Sequence, residues 1–204
     1  METERESEMI EALASVAAEV AETVKEVGTK LEEINARLDV PEGLDSAREK
    51  LEQSCGTKEN PRYIITLNES LAGDRHPITG VEFVKKIVET PAGEYIEGVF
   101  AKFESNFNAE IPKELYLEGD KTQFKECNKQ LYERLEKDPE LKKQFSEEQI
   151  EQIKDGMKDG SAPDGYVWHH EAESGKISLV DAEIHARTGH TGGRSIWGGG
   201  SDNR

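Results

Sequence analysis

Four of the five histidines lie within the last 36 residues, as the adjacent pair His169 and His170, followed by His185 and His190. Imidazole is the side chain best able both to bind a transition metal and to exchange a proton near neutral pH. So dense a group of imidazoles predicts a metal site that carries out chemistry. The sequence therefore places the function in this C-terminal segment.

The residues around these histidines, from Tyr166 onward, predict a strand, a turn, a second strand and a short helix. Tyr166–His170 and residues 176–180 are expected to be strands, and residues 173–175 are expected to be the turn that joins them. Asp181 is a good N-cap for a helix over residues 182–188. This is the smallest frame that can hold ligands from two directions around one ion.

The spacing of His185 and His190 restricts how they can share a ligand. On a continuous helix, five positions at about 100° per residue place two side chains about 140° apart, on different faces. Gly189 lets the chain turn before His190 is reached. The spacing therefore favours one ligand on the helix and the other in the turn that follows it.

The N-terminal region predicts a long helix. Apolar residues recur with alternating spacings of three and four across residues 10–38, which is typical of a coiled-coil seam and of self-association. A long amphipathic helix that packs on its own domain is the alternative. We expect a heptad helix over residues 1–40, a linker over residues 41–71 and the main domain over residues 72–204.

The main domain is expected to mix hairpins and helices, so the predicted fold class is α+β. Residues 81–103 alternate with period two around a turn at residues 90–93, which predicts a hairpin. A brief strand is expected at residues 63–67. Helical periodicity predicts a helix over residues 120–137.

Smaller signals add detail to this domain. Asp120 is the expected cap of the first helix, and Ser146 with Gln149 forms a capping-box pattern that opens a second. Trp168 and Trp197 are expected in the core, whereas the glycine-rich end from Gly198 is expected to fray.

Composition bounds the possible functions. The formal net charge is −17, with 16 acidic and 7 basic residues in 1–60, 21 and 15 in 61–160, and 6 and 4 in 161–204. An acidic chain is a poor non-specific binder of nucleic acid, since such binding uses Lys and Arg to displace counterions. The histidine-rich end is the least acidic part.

Targeting signals are weak. No apolar run approaches membrane-spanning length, and the acidic N-terminus is unlike a classical signal peptide. Two cysteines do not make a disulfide framework, and Cys127 is expected to be a buried free thiol. The protein is expected to be made in the cytoplasm.

Several catalytic motifs are absent. The sequence has no His-Glu-x-x-His, no Gly-x-Ser-x-Gly, no phosphate-binding loop and no paired Cys-x-x-Cys. His76, beside Pro77, is expected to be a surface or hydrogen-bonded histidine.

The pattern W-H-H, then L-V, then I-H-x4-H-x-G-G and W-G-G-G resembles the WHH branch of the HNH/endonuclease VII superfamily. These are ββα-metal nucleases that form C-terminal toxin domains of bacterial polymorphic and contact-dependent toxins, and the pattern resembles colicin DNase domains more loosely. The motif spans residues 164–200, with the ββα-metal core at about 164–197. Upstream segments, among them the one beginning Gln123-Phe-Lys-Glu-Cys, extend the similarity to about residue 72.

This resemblance implies a role for each histidine. His169 would be a metal ligand and His170 the general base, with His185 and His190 completing the coordination. The two later histidines are farther apart here than in the colicin-like pattern. Arg194, or else Arg187, would clamp the phosphate.

The resemblance also implies a metal-dependent endonuclease toxin that hydrolyses DNA. One divalent ion is expected, zinc or nickel for binding and magnesium or manganese for turnover. The implied partners are the nucleic acid and a cognate immunity protein, and the implied fate is delivery into a target cell. Two alternatives stay open: RNA as the substrate, or an acidic coiled-coil interaction protein with a structural or vestigial histidine metal site.

Overall fold

The structure, a computed structural model, describes residues 56–200. These residues belong to one compact unit that begins at Gln53. The predicted heptad helix over residues 1–40, the proposed self-association through residues 10–38 and the first part of the linker lie outside the described residues. Within residues 56–200 the fold is α+β, as predicted.

The first sheet contains β1 (Arg62–Tyr63), β2 (Glu82–Glu89) and β3 (Tyr95–Lys102), in the order β1-β3-β2. Strands β2 and β3 form the predicted antiparallel hairpin, and β1 pairs with β3 in parallel. The apolar alternation places one set of side chains of this hairpin in the core.

The second sheet contains β4 (Ser105–Glu110), β5 (Tyr166–His170) and β6 (Lys176–Asp181), in the order β4-β6-β5. Both pairings are antiparallel. Helix α4 (Ala182–Arg187) follows β6 directly. The predicted order of strand, turn, strand and helix is confirmed.

Three helices precede β5: α1 (Asp120–Leu135), α2 (Pro139–Lys142) and α3 (Glu147–Asp159). Helices α1 and α3 pack against each other and share a core with β5 and β6, which includes Leu131, Ile153 and Trp168. The predicted capping box at the start of α3 is present. The 3-10 turns are Glu69–Leu71, Lys113–Leu115 and Gly193–Ser195. None of the helices in residues 56–200 has the length and apolar character needed to span a membrane.

The prediction that Asp120 caps α1 is wrong. Gly119 occupies the cap position without a side-chain hydrogen bond, and Asp120 is the first helical residue. The Asp120 carboxylate instead pairs with the guanidinium of Arg194, 74 positions later in the chain. A tertiary ion pair has therefore replaced the local cap.

The expected strand at residues 63–67 is shorter than predicted, because its backbone leaves the sheet after Tyr63. The Ile64 amide still donates to the Glu97 carbonyl over 2.9 Å. Beyond it, the Thr66 hydroxyl donates to the carbonyl of Val99 over 2.7 Å and accepts from its amide over 3.3 Å. The hydroxyl of Thr66 thus takes the place of the next backbone hydrogen bonds between the two strands.

The prediction that the chain frays from Gly198 onward is wrong for residues 198–200. The Gly200 amide donates to the carbonyl of Arg194 over 2.9 Å, and the Nε of Arg194 donates to the carbonyl of Gly200 over 2.8 Å. Trp197, buried as predicted, anchors this segment by donating from Nε1 to the Glu171 carbonyl over 2.8 Å.

Candidate active site

Strand β5 directs its two adjacent histidines to opposite faces of the second sheet, because side chains alternate along a strand. His169 lies against Phe103, with ring centroids 4.8 Å apart. His170 lies between Phe124 of α1 and Trp197, at 5.4 Å and 5.2 Å. Both imidazoles are buried.

Helix α4 and the loop after it bring the two later histidines to His169. The Nδ1 of His169 lies 3.2 Å from the Nε2 of His185 and 3.3 Å from the Nε2 of His190. His185 lies on α4, which ends at Arg187, and His190 lies in the loop. The predicted combination of one helical and one turn position is the one observed.

The spacing of these nitrogens fits a metal ion. Around tetrahedral zinc with Zn–N bonds of about 2.0–2.1 Å, neighbouring ligand nitrogens are about 3.3 Å apart. The two contacts of His169 have that length, and the three candidate ligand atoms all lie within 4.8 Å of one another. Three protein ligands with a fourth position open are typical of catalytic sites. Within residues 56–200 this is the one such group of His, Cys, Asp or Glu side chains.

The protonation state of the three rings also suits metal binding. Burial, reinforced by His190 and His185, lowers the pKa of His169 to about 2. Burial, then His190, lowers the pKa of His185 to about 4, and burial lowers the pKa of His190. All three rings are therefore neutral near pH 7, the form that binds a metal.

Neighbouring groups orient the ring of His190. Its Nδ1 lies 2.7 Å from the carbonyl oxygen of Thr188, so Nδ1 carries the proton and Nε2 presents its lone pair to the cluster. The hydroxyl of Thr188 in turn lies 2.7 Å from that of Thr79. This contact connects the loop before β2 with the end of α4.

Phe103 supports all three rings. Its centroid lies 4.8 Å from that of His169, 5.3 Å from that of His185 and 5.0 Å from that of His190. Phe103 and Thr79 belong to segments remote in sequence from the histidines, so no local pattern pointed to them as parts of the site. The family resemblance, which extends upstream to about residue 72, was the only signal that covered Thr79.

A cavity of about 330 Å³ joins these groups, and its wall includes the four histidines, Asp120 and Arg194. His170 is thus one of the residues that line this cavity, although its side chain leaves β5 on the opposite face from that of His169. Its Nε2 lies 2.6 Å from the Oε1 of Gln123, a buried residue of α1.

The two candidate arginines are placed differently. Arg194 lines the cavity and pairs with Asp120. Arg187 forms an exposed pair with Glu183 on α4, 3.1 Å apart, and is not among the residues that line the cavity. Arg194 is therefore the arginine next to the histidines.

Part of the chain is similar to a known protein family. No curated protein and no solved structure matches the chain. Residues 92–192, just under half of the chain, match the model of the colicin-DNase family, described as the DNase/tRNase domain of colicin-like bacteriocin. The matched segment runs from the β2–β3 turn to the loop that holds His190, so it contains all four clustered histidines. This match supports a nuclease toxin domain in the C-terminal part of the chain.

Proposed function

We propose that this domain is a metal-dependent endonuclease toxin of the WHH type that hydrolyses phosphodiester bonds of DNA. One observation carries the proposal: three neutral imidazoles converge with the spacing of metal ligands, beside a fourth neutral imidazole in the same cavity. A purely structural metal site would not need the fourth ring.

In this proposal His169, His185 and His190 hold one divalent ion. Three imidazole ligands suit zinc or nickel for binding, and magnesium or manganese are the candidates for turnover. When bound, the ion acts as a Lewis acid that stabilises negative charge on the phosphate and on the leaving oxygen.

His170 is the proposed general base. Burial lowers its pKa to about 4, so the ring is neutral at pH 7 and has a lone pair available. Its side chain contacts Gln123, Phe124 and Trp197. In this proposal His170 is therefore not one of the metal ligands. It would take a proton from the water that attacks the scissile phosphorus.

Arg194 is the proposed phosphate clamp. A guanidinium keeps its charge at all relevant pH values and offers paired donors that match two phosphate oxygens. Arg194 already lines the cavity. Asp120, its partner, would hold the guanidinium at the cavity wall before the nucleic acid binds.

RNA is the second candidate substrate, because the matched family is described by both DNase and tRNase activity. As a toxin the protein would be delivered into a target cell, and a cognate immunity protein would protect the producer. Because this chain is acidic, we expect basic patches on that immunity protein.

The deciding experiment incubates the purified full-length protein with plasmid DNA and with total RNA, each with EDTA and with added Zn²⁺, Ni²⁺, Mg²⁺ or Mn²⁺. We expect divalent ions to support cleavage and EDTA to abolish it. His170→Ala should lose cleavage but keep metal binding and fold, whereas His185→Ala should lose both cleavage and metal binding. Glu140→Gln, which removes only an exposed ion pair with Lys143, is the control.

Metal binding without cleavage of either substrate would favour the rival function, an acidic coiled-coil interaction protein with a structural or vestigial metal site. Cleavage that is confined to RNA would change the substrate and leave the site assignment intact.

A further inference from the structure

A buried glutamine on α1 makes three hydrogen bonds, one of them to His170. The side chain of Gln123 is completely buried. Its Nε2 donates to the carbonyl oxygens of Leu115 and Tyr116, each over 2.8 Å. Its Oε1 lies 2.6 Å from the Nε2 of His170.

These partners allow the amide of Gln123 only one orientation. Carbonyl oxygens only accept hydrogen bonds, so the two that face the amide require its NH₂ group. A reversed amide would place Oε1 against two carbonyl oxygens in a buried site. The atom that faces His170 is therefore an oxygen, which can only accept.

This orientation decides which nitrogen of His170 carries the proton. Because Oε1 accepts, the Nε2 of His170 must donate. Only one nitrogen of a neutral imidazole carries a proton, so the other nitrogen of His170, Nδ1, has the lone pair that can accept one. Phe124 and Trp197 pack against the ring and oppose a 180° flip, which would put the carbon Cε1 in place of Nε2 against Gln123.

We propose that Gln123 is the positioning residue of the reaction: it fixes the Nε2–H tautomer of His170, so that Nδ1 is the atom that accepts the proton from water. This proposal rests on the assignment of His170 as the general base. Gln123 acts through His170 and has no contact with the three candidate metal ligands among its hydrogen bonds.

The same helix offers a matched control. Asn128 is equally buried, and its Nδ2 donates to the carbonyls of Phe124 and Ser161, each over 2.9 Å. Its replacement removes a buried amide from α1 without removing a bond to His170. A merely structural role for Gln123 would therefore make Gln123→Met and Asn128→Leu behave alike.

The kinetic test compares the full-length wild type, Gln123→Met, Gln123→Glu and Asn128→Leu in metal-supported cleavage. For Gln123→Met we expect kcat to fall by about tenfold to a hundredfold, as for loss of other partners that orient active-site groups, with KM and metal affinity unchanged. Gln123→Glu, protonated on the oxygen that faces the carbonyls of Leu115 and Tyr116, keeps an acceptor toward His170 and should restore part of kcat. Asn128→Leu should keep wild-type kcat. An unchanged kcat in Gln123→Met, or an equal loss in Asn128→Leu, overturns the proposal.

A second measurement does not need activity. Imidazole ¹⁵N–¹H correlation spectra of the wild type, with His170 assigned by comparison with His170→Ala, should show the proton on Nε2. A proton on Nδ1 in the folded wild type overturns the tautomer assignment, even if Gln123→Met fails to fold. If the wild type shows the Nε2–H tautomer but cleaves no nucleic acid, the general-base function fails, and with it the catalytic role of Gln123, whereas the tautomer assignment stands.

Discussion

The Nδ1 of His190 lies 2.7 Å from the carbonyl oxygen of Thr188, two residues earlier in the same loop. This bond turns the Nε2 of His190 toward the other two rings. Thr188 is held by Thr79, whose hydroxyl lies 2.7 Å from its own. One candidate ligand is therefore linked, through Thr188, to a loop more than 100 residues away in sequence.

Thr79→Val is expected to weaken metal binding. The variant keeps the shape of the side chain but removes the hydroxyl contact to Thr188, one of several contacts that hold the loop of His190. We expect the dissociation constant for Zn²⁺ to rise by about tenfold, measured by calorimetric titration. Thr79→Ser should bind as the wild type does. Thr66→Val removes a buried hydroxyl outside the metal cluster and should also leave affinity unchanged, and wild-type affinity in Thr79→Val would contradict the expectation.

Phe103→Leu is expected to lower the affinity for Zn²⁺ in addition to the stability of the fold. The aromatic ring contacts all three candidate ligands, and a smaller side chain would let them rotate. Phe145→Leu is the control, because Phe145 is similarly buried but lies in the core beside the helices. Both should destabilise the protein by about 1–3 kcal/mol. Only Phe103→Leu should also lower the affinity for Zn²⁺, by about tenfold; equal affinities in the two variants would refute a role in orienting the rings.

The metal-free protein should lose stability as the pH falls below about 6.5. The pKa values of His170 and His185 are lowered to about 4 in the folded state, so between about pH 6.5 and 4 the unfolded chain binds more protons than the folded one. Stability is therefore greatest above this window and falls through it, by up to about 1.4 kcal/mol per pH unit for each such histidine.

Urea unfolding in EDTA, from pH 7 to pH 5, measures this slope. Most carboxylates titrate below that range, so the histidines dominate it. His185→Gln should give a shallower slope than the wild type. A free energy of unfolding that stays constant from pH 7 to pH 5 would be incompatible with buried neutral histidines.

Arg194→Lys is expected to impair cleavage without loss of the fold. Lysine keeps the charge that pairs with Asp120 but lacks the planar fork that binds two phosphate oxygens. We expect kcat/KM for plasmid cleavage to fall by about tenfold or more. Arg187→Lys, on the exposed face of α4, is the control and should cleave normally. Equal effects of the two substitutions would exclude Arg194 as the specific clamp.

Local sequence patterns predicted much of the secondary structure. The period-two alternation over residues 81–103 and the capping box at Ser146 correspond to elements that the structure contains. The strand, turn, strand and helix around the histidines are also present. These elements depend on hydrogen bonds between near neighbours and on one buried face, and both leave a periodic trace in the sequence.

The sequence alone identified which histidines to consider, and the spacing of His185 and His190 favoured a turn between them. Tertiary structure decided what surrounds them: Phe103 beneath the rings, Thr79 behind Thr188, and Gln123 against His170. Tertiary structure also decided that Asp120 pairs with Arg194 and does not cap its helix. Such contacts arise when the sheets and helices pack, and they join residues with no fixed spacing, so no periodic pattern can specify them.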